Sequence, residues 1–115
     1  MDRYDIAALV AKDFLLEKGM RSVDVTGYSC EEGEADVVCT DGLTHVIVAV
    51  QAAHKRGGNC PKAVYNVKKM RRVLMCYLAD HPEVTSARYD HMLVTISSGN
   101  GAAVEYTQAL VFKER

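Results

Sequence analysis

The chain has 115 residues, 49% of them apolar and 25% charged, with a net charge of −1. A chain of this size buries its own core without disulfide or metal staples, and the composition excludes a disordered tail, a collagen-like repeat and a cysteine-rich miniprotein. No apolar run approaches the ~20 residues of a membrane span. Met1-Asp2-Arg3-Tyr4-Asp5 carries acids where a signal peptide needs a basic start and then a long apolar block. A single domain over residues 1–115, cytoplasmic and without a membrane partner, is the expectation.

Residues 4–18 predict an amphipathic helix: Ile6, Leu9, Val10 and Phe14 recur at three- and four-residue steps, with Lys12, Asp13 and Glu17 off that stripe. Gly19 is its expected stop, since glycine enters the left-handed cap conformation without steric cost. Three β-like runs follow, Arg21–Ser29, Glu34–Thr40 and Thr44–Ala53, with an Asp41-Gly42 turn between the last two. The stretch Val46-Ile47-Val48-Ala49-Val50 is apolar on both faces, as a central strand covered on both sides requires. His54–Pro61 reads as a loop, marked by Gly57-Gly58-Asn59 and Pro61.

Residues 62–79 predict a second helix, with Val64, Val67, Met70, Leu74 and Leu78 as its apolar stripe. Lys62, Lys68, Lys69 and Arg72 fall on the other side, and Arg71 near the boundary. His81-Pro82 ends it. Arg88–Ser97 is a fourth strand, Ser98-Gly99-Asn100-Gly101 a turn, and Ala103–Phe112 a fifth strand. The order is α-β-β-β-α-β-β. A helix of crossover length between strands three and four makes those two parallel. The expected fold class is α/β, a mixed central sheet flanked by helices.

The near-zero charge hides a split. Residues 1–50 hold four Lys/Arg against ten Asp/Glu, and residues 51–115 hold ten against five. No acid occurs between Asp41 and Asp80, while that stretch carries Lys55, Arg56, Lys62, Lys68, Lys69, Arg71 and Arg72. Such a stretch either neutralises phosphates or is a solvated helix face. Cys30, Cys39, Cys60 and Cys76 form no C-x-x-C pair, and His45, His54, His81 and His91 no metal-ligand spacing. Reduced thiols packed as small apolar groups are expected. Tyr65, Tyr77 and Tyr89 either stack on bases or pack half-buried with their hydroxyls in water.

This element order, with Gly19, Gly33-Glu34-Ala35-Asp36-Val37-Val38, the strand His45–Gln51, Val64 and Lys68 in the second helix, and Arg88-Tyr89-Asp90, resembles the YraN-like family of the PD-(D/E)XK, restriction-endonuclease-like superfamily. The similarity runs from about residue 8 to residue 95. It implies a restriction-endonuclease-like αβββαβ core, a nuclease activity and a magnesium cofactor. In such a site an acid at one strand end and an E-x-K pair on the next strand converge on a hard cation that generates hydroxide and stabilises phosphate charge. The lysine orients the attacking water and offsets transition-state charge.

Asp36 stands at the first acidic position, and it is the residue that the resemblance offers as a metal ligand. The E-x-K triplet is replaced by Ala49-Val50-Gln51, and the glutamate of the first helix by Ala8. One carboxylate and one amide make a poor magnesium site. Glu34, two residues before Asp36 and so on the same face of a regular strand, is the candidate second acid. Asp13 or Glu17 could approach from the first helix, and Lys68 or Lys69 could stand in for the lysine. Asp36 reads either as a ligand or as a relic that caps a turn, and Asp90 as structural or catalytic.

Three functions are consistent with this reading. The first is a catalytically degenerate nuclease fold that binds DNA or other nucleic acid non-specifically through Lys55, Arg56, Lys62, Lys68, Lys69 and Arg72. The second is a metal-dependent endonuclease with relocated residues drawn from Asp36, Glu34 and Gln51. The third is a protein–protein module, such as a homodimer.

Overall fold

Leu15 and Leu16 carbonyls decide where the first helix stops. Met20 N–H returns to Leu15 O and Gly19 N–H to Leu16 O, with Gly19 at φ +92°, a left-handed cap that satisfies the last carbonyls of α1 (Arg3–Glu17). The structure, a computed structural model, describes residues 3–113 except Asn59, Ser98 and Asn100, and it describes the side chains of Arg3 and Tyr4 no further. The expected turn at Ser98–Gly101 and the loop position Asn59 therefore lie partly outside the described residues, as do Met1 and Asp2.

Helix α1 buries a different stripe from the expected one. Ala7, Ala11 and Leu15 are fully buried, Val10 and Phe14 flank them, and Leu9 is half exposed. Two alanines one turn apart let the helix lie close on the sheet, which rotates the contact line away from the larger residues.

Among the described residues seven strands follow where five were expected: β1 (Arg21–Asp24), β2 (Tyr28–Cys30), β3 (Gly33–Ala35), β4 (Val37–Asp41), β5 (Thr44–Lys55), β6 (Ser86–Ser97) and β7 (Ala102–Lys113). The runs Arg21–Ser29 and Glu34–Thr40 are each divided. Gly27, at φ +76°, turns the chain out of the main sheet, and β2 and β3 form their own antiparallel hairpin, Tyr28 opposite Ala35 and Cys30 opposite Gly33. A methyl group at Gly27 would sit 2.3 Å from Ala35 O and 2.9 Å from Asp36 O. Gly27→Ala is therefore expected to destabilise the fold by more than the ~1–2 kcal/mol of left-handed strain alone, read as a lower urea midpoint with an unchanged m-value.

The five-stranded sheet has the order β1-β4-β5-β6-β7, with β5 and β6 parallel and every other pair antiparallel. The crossover between β5 and β6 is α2 (Val67–Asp80). Val46, Ile47 and Val48 are each fully buried, so β5 is central and covered on both faces, as its sequence predicts. Val46 and Val48, with Met92 and Val94 of β6, pack against α1. Ile47 and Tyr89 pack against Met70, Val73, Leu74 and Tyr77 of α2. Among the described residues no helix is long and apolar enough to cross a membrane.

The second helix starts five residues later than its periodicity predicts. Asn66 is extended, and its side chain accepts the Lys69 N–H at 3.1 Å, a cap worth about 1 kcal/mol. Lys62–Tyr65 is thereby left as a strap without regular structure, Val64 is three-quarters exposed, and the buried stripe is Met70, Val73, Leu74 and Tyr77. Lys62 consequently lies on the strap, not on the helix face.

Candidate functional site

Alternation along β5 puts Ala49 and Gln51 on the α2 side of the sheet, with Ile47. There they line an open cleft of about 340 Å³ together with Glu34 of β3, Val64, Tyr65 and Asn66 of the strap, Lys69, Met70 and Val73 of α2, and Tyr89 and His91 of β6. The positions that resemble E-x-K thus do face a cleft.

Their chemistry is already spent on holding the fold. Gln51 Nε2 donates to Lys62 O at 3.0 Å, and Gln51 Oε1 accepts from Val64 N–H at 2.9 Å. The side chain that stands in the lysine position is a peptide-like bridge fastening the strap to β5. Gln51→Ala removes both bonds, each worth ~0.5–1.5 kcal/mol. The expected result is faster amide exchange at Val64 with protection retained at Val73.

Asp36 sits at the bend where the chain leaves the hairpin and enters β4. Its N–H donates to Val48 O at 2.8 Å, and its Oδ2 accepts the Val50 N–H at 2.7 Å. The carboxylate thus takes the place of a ladder carbonyl where the strand departs. The expectation that Glu34 shares a regular strand face with Asp36 fails, because β3 belongs to a separate sheet. Glu34 lines the cleft, and its carbonyl accepts the Tyr89 hydroxyl at 2.8 Å. Burial, with the charges of Asp36 and Glu34 nearby, pushes the Tyr89 phenol up to about 12, so it stays a neutral donor. Asp13 and Glu17 are on α1, across the sheet from the cleft, and do not reach it.

The donor set does not fit a magnesium ion. One carboxylate oxygen is bonded to Val50 N–H, the second acid is Ala49, and the amide oxygen is held by Val64 N–H. Among the described residues no group of three His, Cys, Asp or Glu side chains could hold a metal ion.

The cations are arranged differently from the acids. Lys62 on the strap, and Lys68 and Lys69 in the first turn of α2, are exposed around the cleft side of the sheet. That first turn contains no acid, so both lysines oppose the positive end of the helix dipole, at a cost of ~0.3–1 kcal/mol each that a bound anion relieves. Lys55 ends β5 on the same face as Gln51, about 13 Å further along at strand rise, and Arg56 follows it. Arg72 is less available, because its Nε is paired with Glu32 Oε2 at 3.0 Å.

Sequence reasoning missed His91. It is 2% exposed, its ring lies 4.8 Å from that of Tyr65 at 35°, and its Nδ1 has no hydrogen-bond partner. Burial pushes its pKa down, against a weaker upward pull from Glu105. No spacing signal marks it in the sequence; the parallel register of β5 and β6 sets His91 beside Ala49. Tyr65 is partly exposed, whereas Tyr77 and Tyr89 are buried and cannot stack on a base.

Of Arg88-Tyr89-Asp90, Tyr89 faces the cleft, while Arg88 and Asp90 lie on the other face of the sheet. Arg88 and Asp90 point toward α1. Arg88 Nε donates to both Asp90 oxygens at 3.0 and 2.9 Å, Arg88 Nη1 to Asp41 Oδ2 at 3.2 Å, and the Tyr106 hydroxyl donates to Asp90. Asp90 is fully buried, away from the cleft, in a structural network. All four cysteines are free thiols. Cys39 is buried and pushed up to about 11 by desolvation, Cys30 and Cys76 are half-buried, and Cys60 is exposed, against the expectation of packing.

Architecture and cleft together define an α/β protein with a mixed five-stranded sheet, compatible with a restriction-endonuclease-like core. No family model matches the sequence. The chain is 35% identical over 105 residues to a UPF0102 protein of Renibacterium salmoninarum, covering 88% of each chain. It is 34% identical over 101 residues to a UPF0102 protein of Frankia casuarinae (84% of this chain, 85% of the other). A UPF0102 protein of Mycobacterium bovis is 30% identical over 109 residues (87% and 84%). The chain belongs to the UPF0102 family, of which the YraN-like proteins are members.

Proposed function

We propose that this protein is a catalytically degenerate member of the nuclease fold that binds nucleic acid through its phosphates, with little sequence reading. The observation that carries this reading is a contrast within one cleft. Ala49 offers no carboxylate and Gln51 is engaged by the strap, while Lys69 lines the cleft and Lys62 and Lys68 are exposed on the strap and the first turn of α2. Lys55 and Arg56 extend the basic track, and Arg72 adds to it when Glu32 releases it. Contacts of this kind position a duplex without reading its bases.

The test is to incubate the protein with supercoiled and linear DNA in magnesium or manganese, and to follow binding in parallel. Binding without cleavage is expected. Metal-dependent cleavage that Asp36→Ala abolishes would overturn the degenerate reading in favour of an endonuclease with relocated ligands.

A second reading rests on a different surface. Met75 and Val111 are more than half exposed beside a small apolar groove formed with Arg71, Leu74, Leu110 and Phe112, and β7 is a long edge strand. Such a face suits a homodimer. A monomer by light scattering at high concentration removes that reading.

A further inference from the structure

His91 lines the cleft floor with its Nδ1 unpartnered, although the residue is 2% exposed. A buried nitrogen of this kind costs free energy until something bonds it. Among the described residues, the other buried side-chain atom in this condition is Arg88 Nη2, in the network across the sheet. The neutral imidazole accepts or donates at Nδ1 according to its tautomer. Beside it, Ala49 leaves space where a longer side chain would fill the cleft. At the rim, Tyr65 lies against His91 and is 39% exposed, so part of its ring is open to a second planar group. On the opposite wall, the Lys69 stem passes over Gly33, where a side chain would meet Lys69 Cε at 2.9 Å, and it carries an ammonium group to the cleft.

A hydrogen-bonding nitrogen in the floor, an aromatic edge at the rim and a cation on the wall suit a ligand that is planar, polar at one edge and anionic. The volume of about 340 Å³ lies at the lower end of small-molecule clefts. We propose that this cleft takes one unpaired nucleotide: its base lies against Tyr65 with a polar edge toward His91, and its phosphate lies at Lys69. The proposal rests on the nucleic-acid reading above and refines it. The cations hold the strand, and the former catalytic cleft accepts a single extruded or terminal base. Hydrogen bonding at a base edge and aromatic stacking are the usual means of holding a base outside a duplex.

The same chemistry is present in a free mononucleotide and in a single strand, and the experiment separates them. The His91 ring resonances are followed by NMR while 5′-mononucleotides, a ten-residue single-stranded DNA and a blunt duplex of equal length are titrated in turn. Affinities are measured for the parent and for Tyr65→Ala, an exposed strap position whose fold is checked by circular dichroism. The expected result is a saturable shift of the His91 ring with the single strand but not with the blunt duplex. Tyr65→Ala is expected to weaken single-strand binding about 5- to 150-fold, with duplex affinity unchanged. A His91 shift with mononucleotides alone would support the cleft chemistry and assign it to the free nucleotide. Single-strand binding that leaves His91 unmoved and is indifferent to Tyr65→Ala would overturn the cleft proposal while the phosphate-binding function stands. Absence of binding by every nucleic acid would overturn both.

Discussion

Asp90→Ala is expected to destabilise the protein by ~3–5 kcal/mol, a large share of the total for a domain of this size. The substitution leaves the Arg88 guanidinium, itself 8% exposed, with the more exposed Asp41 as its remaining carboxylate partner and with Nη2 still unpartnered. It also strips the Tyr106 hydroxyl of its acceptor. The urea midpoint should fall steeply. Replacing both charges, by Arg88→Met with Asp90→Leu, should cost far less than the single change and could raise stability, because the desolvation of both ions is removed together. The direction of the Asp90 pKa agrees. Burial pushes the carboxyl up despite the bonds from Tyr106 and Arg88. A raised folded pKa means that the folded state holds the proton more tightly than the unfolded chain. The stability tied to this group is therefore present below the ordinary carboxylate range and is lost as pH rises through the folded value. The ion pair is costly at neutral pH, and its loss on one side only is costlier still.

The second large effect concerns binding. Neutralising Lys62, Lys68 and Lys69 together by alanine should make the log–log salt dependence of duplex binding shallower by about 2.7, that is 0.9 for each phosphate contact removed. Affinity at low salt should fall by orders of magnitude. Unfolding would not account for it. Lys68 and Lys69 sit at the positive end of α2, where their removal favours the helix, and Lys62 is on the exposed strap. Arg71→Ala serves as the control. Arg71 borders the apolar groove with Leu110 and Phe112, away from the cleft, and its loss should leave the slope unchanged.

Much of the architecture was legible because the hydrophobic runs were unambiguous. Val46–Val50 could only be a doubly covered strand, and a helix-length segment between it and Arg88–Ser97 forced the parallel pair. Boundaries failed where a short polar interaction overrode periodicity. Asn66 capping Lys69, with Gln51 fastening the strap, moved the start of α2, although an asparagine just ahead of Val67-Lys68-Lys69 was a readable cap signal. The division of two predicted strands turned on Gly27, whose left-handed backbone is not marked by any neighbouring turn dipeptide. In α1 the alanines outranked the larger apolar residues, which depends on how closely the helix approaches the sheet.

The cleft was legible in part. Ala49 and Gln51 line it, as alternation along β5 requires, whereas Glu34 reaches it from the separate hairpin and Lys69 from α2. The backbone roles of Asp36 and Gln51 depend on a bend and a strap that no motif encodes. His91 was passed over because an isolated histidine on an apolar strand carries no spacing signal. It becomes visible once the register sets it beside Ala49.

The most direct test of the account is the affinity of the parent protein for linear and branched DNA, measured by fluorescence anisotropy across a salt series. Binding at low salt is expected, weakening along a straight log–log line with a slope of about −2.7 or steeper. No binding at low salt, or affinity indifferent to salt, would contradict it and leave the basic strap and helix as a solvated surface.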